Sequence, residues 1–337
     1  MLNENGNLFI QITELGERKI IEYMQNHFDP MPNIAVSFGD DISAYELENG
    51  RLAILKTDML VNKTDIPKGM SLWEAARKAI VMNVSDFAAK GVKPKAAIVS
   101  LGLPKTFTLN DIKEIARGLN FGAREYGAYI VGGDTGETSD LIIAVSLYGT
   151  SEKKGIMLRK GARSGDIIAV TGFFGKTAAG LKLLLGELNN SLDYEKKLIS
   201  SICFPKARLN EGLKLRASDA VTSSIDSSDG LAWSLYEISK INRVGFLINN
   251  IPTANEVKRF SKVHRVNPLD LTFYGGEEYE LVITLKPELL KKTVKSIKNI
   301  GGCLIPIGKV IDEPEILIEI NGKKKTIEPK GWEHFKS

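Results

Sequence analysis

The sequence predicts an α/β protein of two domains with α+β character, and three observations carry that reading. At 337 residues the chain is longer than one hydrophobic core usually supports. Apolar, β-branched runs of strand length alternate with helix-period segments. A polar, glycine-bearing stretch at 150–166, TSEKKGIMLRKGARSGD, parts the chain. The domains expected are therefore 1–150 and 151–337.

In the first half, strands are expected at 52–60 (LAILKTDML), 96–103, 127–134 and 141–150. One helix should open at Ser71-Leu72-Trp73-Glu74, a capping box, and close at Gly91, a residue suited to the left-handed position after a helix. A second, Leu109 to Tyr126, sets Ile112, Ile115, Ala116 and Leu119 on one face. The second half restarts with a strand at 165–172 and a helix at 177–187. A strand end at 223–226, a helix at 230–240 and a strand at 279–285 follow. In the hairpin at 316–328, Asn321-Gly322 suits a type I′ turn. The halves echo each other faintly, VSDFAAKG against SSDGLAWS and SLYGT against IGKV, as an internal repeat would.

Composition narrows the function. A net charge of +4 is too balanced for a chain built to wrap nucleic acid. No apolar run is long enough to span a membrane, and no basic, then apolar leader is visible, so a cytoplasmic protein is expected. Cys203 and Cys303 lie far apart, which supports neither a disulfide framework nor a zinc ribbon.

The chemistry points to carboxylates beside small residues at the ends of apolar runs. Asp40 and Asp41 follow Ser-Phe-Gly, Asp58 closes one run, and Asp134 closes another after Gly133. Asp226 and Asp229 flank two serines, and Glu277 and Glu278 follow Gly-Gly. Strand ends of this kind are where α/β folds place sites. On the 71–91 helix, Glu74, Lys78 and Ser85 mark a polar stripe, whereas Asp86 projects among Ala75, Ala79 and Met82. A carboxylate on a buried face needs a partner, and several carboxylates can share one cation. All-oxygen donors favour Mg²⁺, which usually also holds substrate phosphates. Singly, Asp229 also fits a helix N-cap and Asp40 a turn. VTGFFGKTAAG at 170–180 is not a phosphate-wrapping loop, because Val170 stands where its first glycine is needed.

SFGDDIS, LKTDML, NVSDFAAKGVKPKAAIVSLGLP, VGGDTGE, LRKGARSGD, VTGFFGKTAAGL, SSIDSSDGL, YGGEEYELV and GWEHF occur in order over almost the whole chain. In these runs the chain resembles the thiamine-monophosphate kinases, of the superfamily of aminoimidazole ribonucleotide synthetase and selenophosphate synthetase. The resemblance implies transfer of the ATP γ-phosphate to thiamine monophosphate. It implies a two-domain fold whose N-terminal sheet forms a barrel in a homodimer, with a C-terminal α/β sandwich. Carried over, it places Mg²⁺ on Asp40, Thr57, Asp58, Asp86, Asp134, Asp226 and Asp229. ATP would meet Gly133, Asp134, Arg159 and Ser228, and the thiamine side Asp65, Glu277 and Trp332. No general base is implied.

Two departures from the family pattern stand out. Asp65 replaces a histidine common in bacterial members, and Lys56 stands where a second threonine is common. The run KTDIPKGMSLWEAARKA resembles the archaeal branch. Two other readings keep the ATP site: a synthetase that activates a different substrate by phosphorylation, and a non-catalytic ATP-binding maturation protein.

Overall fold

The computed structural model describes residues 11–186 and 193–335. The first part runs α1 (Ile12–Leu15), α2 (Glu17–Gln25), β1 (Ile34–Val36), β2 (Ser43–Glu46), β3 (Arg51–Val61), α3 (Asn62–Asp65) and α4 (Leu72–Lys90). It continues with β4 (Pro94–Leu103), α5 (Leu109–Glu125), β5 (Tyr129–Glu137) and β6 (Ile142–Glu152). These strands form a six-stranded sheet in the order β1-β2-β3-β6-β4-β5, with β4 and β5 parallel and the other pairs antiparallel.

The second part runs β7 (Ile167–Val170), α6 (Lys176–Leu184), α7 (Asp193–Cys203), α8 (Leu209–Arg216), β8 (Val221–Asp226), α9 (Leu231–Asn242) and β9 (Gly245–Ile248). It closes with α10 (Asn255–His264), α11 (Pro268–Tyr274), β10 (Leu281–Leu285), α12 (Leu290–Lys298), β11 (Ile305–Ile311), β12 (Ile316–Ile320) and β13 (Lys323–Thr326). Its seven-stranded sheet has the order β13-β12-β9-β11-β7-β10-β8, with only β9 and β12 parallel. Among the described residues no helix is long and apolar enough to cross a membrane.

Local chemistry explains where the expected elements stop. Ser71 accepts from the Glu74 N–H at 3.2 Å, and Glu74 accepts in return from the Ser71 N–H at 2.8 Å. Gly91 takes φ 65° and ψ 40°, and the Val92 N–H reaches back to the Phe87 carbonyl at 2.9 Å. β5 starts at Tyr129 rather than residue 127, because Gly127 at φ 82° belongs to the turn leaving α5. The hairpin has positive φ at Asn321 (52°) and Gly322 (74°), as a type I′ turn requires. The helix expected at 177–187 is α6, with Glu187 outside the described residues.

Helix α4 is the centre of the molecule. It packs on β3 and β6 of the first sheet, on β8 of the second, and on α5 and α8. Fifteen of its 19 residues are buried, so its charged side chains must find partners inside. The polar stripe expected from the sequence is therefore not a solvated face: Lys78 and Ser85 are as buried as the alanines. The Asp-bearing half of the internal echo does not hold. Asp86 sits within α4, whereas Asp229 lies in the turn before α9.

Among the described residues, the opposite face of the first sheet is left uncovered. Alternation along the strands turns Leu55, Met59, Ile98, Tyr129, Val131 and Tyr148 out to solvent. Leu55 and Tyr148 are register partners on it, and Ala96 joins Tyr148 to Tyr129.

Candidate metal and nucleotide site

Three carboxylates from distant parts of the chain meet beside α4: Asp41 from the turn before β2, Asp86 from α4, and Asp226 from the end of β8. One oxygen of each lies within 4.8 Å of the others, and all three residues are buried. Burial and the neighbouring carboxylates raise Asp86 well above the usual range, and burial with the Asp41 charge pushes Asp226 up to about 7. The hard oxygen donors of such a group fit Mg²⁺ rather than zinc. Ser85, one residue before Asp86, donates to Asp226 Oδ2 at 2.7 Å and orients it.

Resident cations surround the cluster. Lys90, fully buried at the end of α4, lies 2.6 Å from Asp40 Oδ1 and 2.8 Å from Asp41 Oδ2. Arg159 donates from Nε to Asp41 Oδ1 at 2.6 Å, and its backbone N–H donates to Asp40 Oδ2 at 3.0 Å. Burial alone would raise Asp41, but Arg159 and Lys90 outweigh it and hold the carboxyl below its ordinary value. Lys56, on the α4-facing side of β3, stands 3.0 Å from Asp58 Oδ1 and 3.0 Å from Asp86 Oδ2.

A cleft of ≈ 1080 Å³ opens over these groups, lined by Asp40, Thr57, Arg159, Asp226, Ser228 and Asp229 among others. Glu17 and Arg18 of α2 contribute to its wall. Arg18 Nη2 lies 3.4 Å from Asp229 Oδ2, and burial pushes Asp229 up to about 6. Asp229 does not cap α9, since Gly230 holds the N-cap position without a side-chain bond. The Thr57 hydroxyl donates to the Val145 carbonyl at 3.1 Å, on the side of β3 opposite Asp58.

A second group sits on the other side of the Ser227–Gly230 turn. The Glu277 N–H donates to the Ser228 carbonyl at 2.6 Å, and the Trp332 N–H to the Asp229 carbonyl at 3.1 Å. Glu277 pairs with Lys78 of α4, and Lys78 also donates to the Asp65 carbonyl at 2.9 Å. The Asp65 carboxylate is engaged locally, accepting from the Val61 N–H at 2.7 Å. Trp332 is 49% exposed, with the His334 ring edge-on at 5.8 Å between centroids.

Gly133 and Asp134 stand apart. They lie on the edge strand β5, with β4 and β6 between them and β3, roughly 14 Å away at ordinary strand spacing. Asp134 pairs in register with Ser100, and Ser100 with Ala144, the partner of Met59, so it shares the uncovered apolar face. The Gly-Lys-Thr turn has no anion to offer a place to. The Thr177 N–H at the start of α6 already donates to Glu278 Oε1 at 3.2 Å.

Sequence reasoning did not assign Asp41 or the cations Lys56, Lys90 and Arg18. The Asp40-Asp41 doublet and the departure at Lys56 were the available signals; Lys90 reads as an ordinary helix residue until the fold buries it.

Residues 39–151 match the family model described as AIR synthase related protein, N-terminal domain. The thiamine-monophosphate kinase of Nitrosopumilus maritimus is 37% identical over 325 residues, covering 96% of this chain and 100% of the relative. That of Pyrococcus horikoshii is 35% identical, covering 96% and 98%. The solved complex of AaThiL with AMPPCP and TMP superposes with a TM-score of 0.85 at 28% identity, covering 97% of this chain and all of that one. Full-length similarity at this level, over a fold that assembles the acidic motifs, places the chain in the thiamine-monophosphate kinase family.

Proposed function

We propose that the chain transfers the γ-phosphate of ATP to thiamine monophosphate, giving thiamine diphosphate and ADP, with Mg²⁺ as the metal. The observation that carries this is the buried Asp41–Asp86–Asp226 cluster beside the cleft, in a chain alike end to end to proteins named for that activity. Asp40, Thr57, Asp58, Asp86, Asp134, Asp226 and Asp229 are the proposed metal-holding set, and Asp41 joins it. When bound, the metal supplies the positive charge that lets two phosphate-bearing substrates approach.

A phosphate oxygen of the acceptor forms the new bond to the γ-phosphorus, and the bond to the β–γ bridging oxygen breaks as ADP leaves. The acceptor oxygen is already ionised near neutral pH, so no general base is assigned. Arg159 and Ser228 face the cleft and are proposed to touch ATP, with Gly133 and Asp134. Arg159, fixed by Asp41, offers a rigid planar cation to phosphate. Glu277, Trp332 and the Asp65 region are proposed for the thiamine side. Lys78 holds Glu277 and the Asp65 carbonyl together, so Asp65 acts on that group through its backbone.

Residues 1–150 are proposed as the Mg–ATP-binding and dimerisation domain, and 151–337 as the domain that completes the site. The uncovered face around Leu55, Met59, Tyr129 and Val131 supports a homodimer, because a contiguous apolar sheet face calls for a partner. Asp134 lies on that face, so pairing would take it out of open solvent.

The test is a chromatographic assay with ATP, Mg²⁺ and thiamine monophosphate, run beside an EDTA control. Thiamine diphosphate rising in step with ADP, only with metal, is the expected result. ADP release without thiamine diphosphate would transfer the site to another acceptor.

A further inference from the structure

Among the described residues, Lys56 is the one cation that touches both Asp58 and Asp86, and Asp86 belongs to the buried carboxylate cluster. Its place follows from the fold. Lys56 and Asp58 are two residues apart on β3 and so share the face that meets α4, where Asp86 projects toward them. An ammonium is a compact charge with three donors, and here two of them are aimed at carboxylates on different elements.

The other nearby cations do not take this part. Lys90 and Arg159 contact Asp40 and Asp41. Without Lys56, Asp86 would lie between Asp58 and Asp226 with no protein cation in contact with any of the three among the described residues. An exposed ion pair would be a minor stabiliser. This one is only 20% exposed on the lysine side and 8% on the Asp86 side, and it bridges rather than pairs.

We propose that Lys56 is a resident counter-cation of the site, filling the gap between Asp58 and Asp86 that a divalent ion would otherwise take. The chain thus engages one divalent ion fewer than its carboxylates could hold. A metal in that gap would need both oxygens at about 2.0–2.1 Å and would have to expel the ammonium. This inference rests on the metal–nucleotide reading of the site and sharpens it to a cation count.

The test counts Mn²⁺ bound to the full chain, alone and with AMPPCP, by electron paramagnetic resonance and calorimetry. Lys56→Thr vacates the gap and should bind one more Mn²⁺ per chain than wild type. Lys56→Met keeps the stem without the charge. It should bind its first Mn²⁺ at least about tenfold more tightly, because a like charge has been removed from beside the ion. If Lys56→Thr does not fold, Lys56→Met decides the matter by affinity. Wild-type stoichiometry and affinity in both variants would overturn the inference. So would an unchanged Mn²⁺ count with weakened AMPPCP binding, which would make Lys56 a phosphate contact. The kinase reading is judged separately: Mn²⁺ counts as expected, with no thiamine diphosphate formed by wild type, would sink that reading and leave this one standing.

Discussion

Carboxylates on buried walls set the behaviour of the site one residue at a time. Asp86→Asn and Asp226→Asn should each lower turnover by roughly 10²-fold or more with the circular dichroism spectrum unchanged, since each removes a charged oxygen donor while keeping the shape. Near wild-type rates in both would remove the cluster from the chemistry. Trp332→Ala should raise the KM for thiamine monophosphate well above any change in the KM for ATP; an unchanged acceptor KM would exclude the ring from the site. Glu278 gives a pH test away from the metal cluster. Burial pushes it up to about 7 from an ordinary 4.5, so the folded state binds its proton more tightly than the unfolded chain does. The sign follows: the contribution of Glu278 to stability is full below about pH 4.5 and is lost as pH rises through about 7. Glu278→Gln should flatten that fall, a gap of at most about 3 kcal/mol in denaturant titrations at pH 5 and pH 8. Parallel profiles for the two proteins would refute it. Asp86 was legible in the sequence because a carboxylate among alanines on a helix is costly unless partnered. Asp41 and Lys56 were not, because their meaning depends on which distant side chains they meet.

At the scale of elements, α4 decides how the site is built. Its capping box and closing glycine are local signals and could be read from the sequence directly. That it is buried on every side could not, because alternative faces of one helix look alike until two sheets are placed around it. The same helix sends Arg77 to the Pro205 carbonyl at 2.8 Å, Lys78 to Glu277, and Lys90 to the Asp40–Asp41 turn. Its approach to α5 is close. A Cβ on Gly118 would meet the Trp73 carbonyl oxygen at 2.2 Å and Ala76 Cβ at 2.9 Å. Gly118→Ala, although it improves helix propensity, should therefore destabilise the protein by about 1–3 kcal/mol. A gain in melting temperature would show that the two helices part without cost.

On the whole molecule, the uncovered sheet face and the edge strand β5 carry the prediction. Val131, 67% exposed on β5, lies on the apolar face that the first sheet turns to solvent. In the proposed homodimer, Val131→Glu should turn a dimeric mass into a monomeric one in light scattering, because a charge placed on an apolar interface has no partner there. An unchanged mass would show that the copies associate elsewhere or not at all. By itself, the apolar periodicity of the chain determined the α/β class and the main strands and helices, and the order of its acidic motifs determined the family and put forward the candidate carboxylates. Those features are written in residue type and short spacing, which local chemistry reads directly. Only the tertiary structure decided that Asp41, Asp86 and Asp226 form the cluster, that Lys56 stands between two of the acids, and that Asp134 lies on the far face. Apart from Lys56 and its strand neighbour Asp58, those are relations between residues separated by tens to more than a hundred positions. Their distances follow from how two sheets close around one buried helix, which no local pattern encodes.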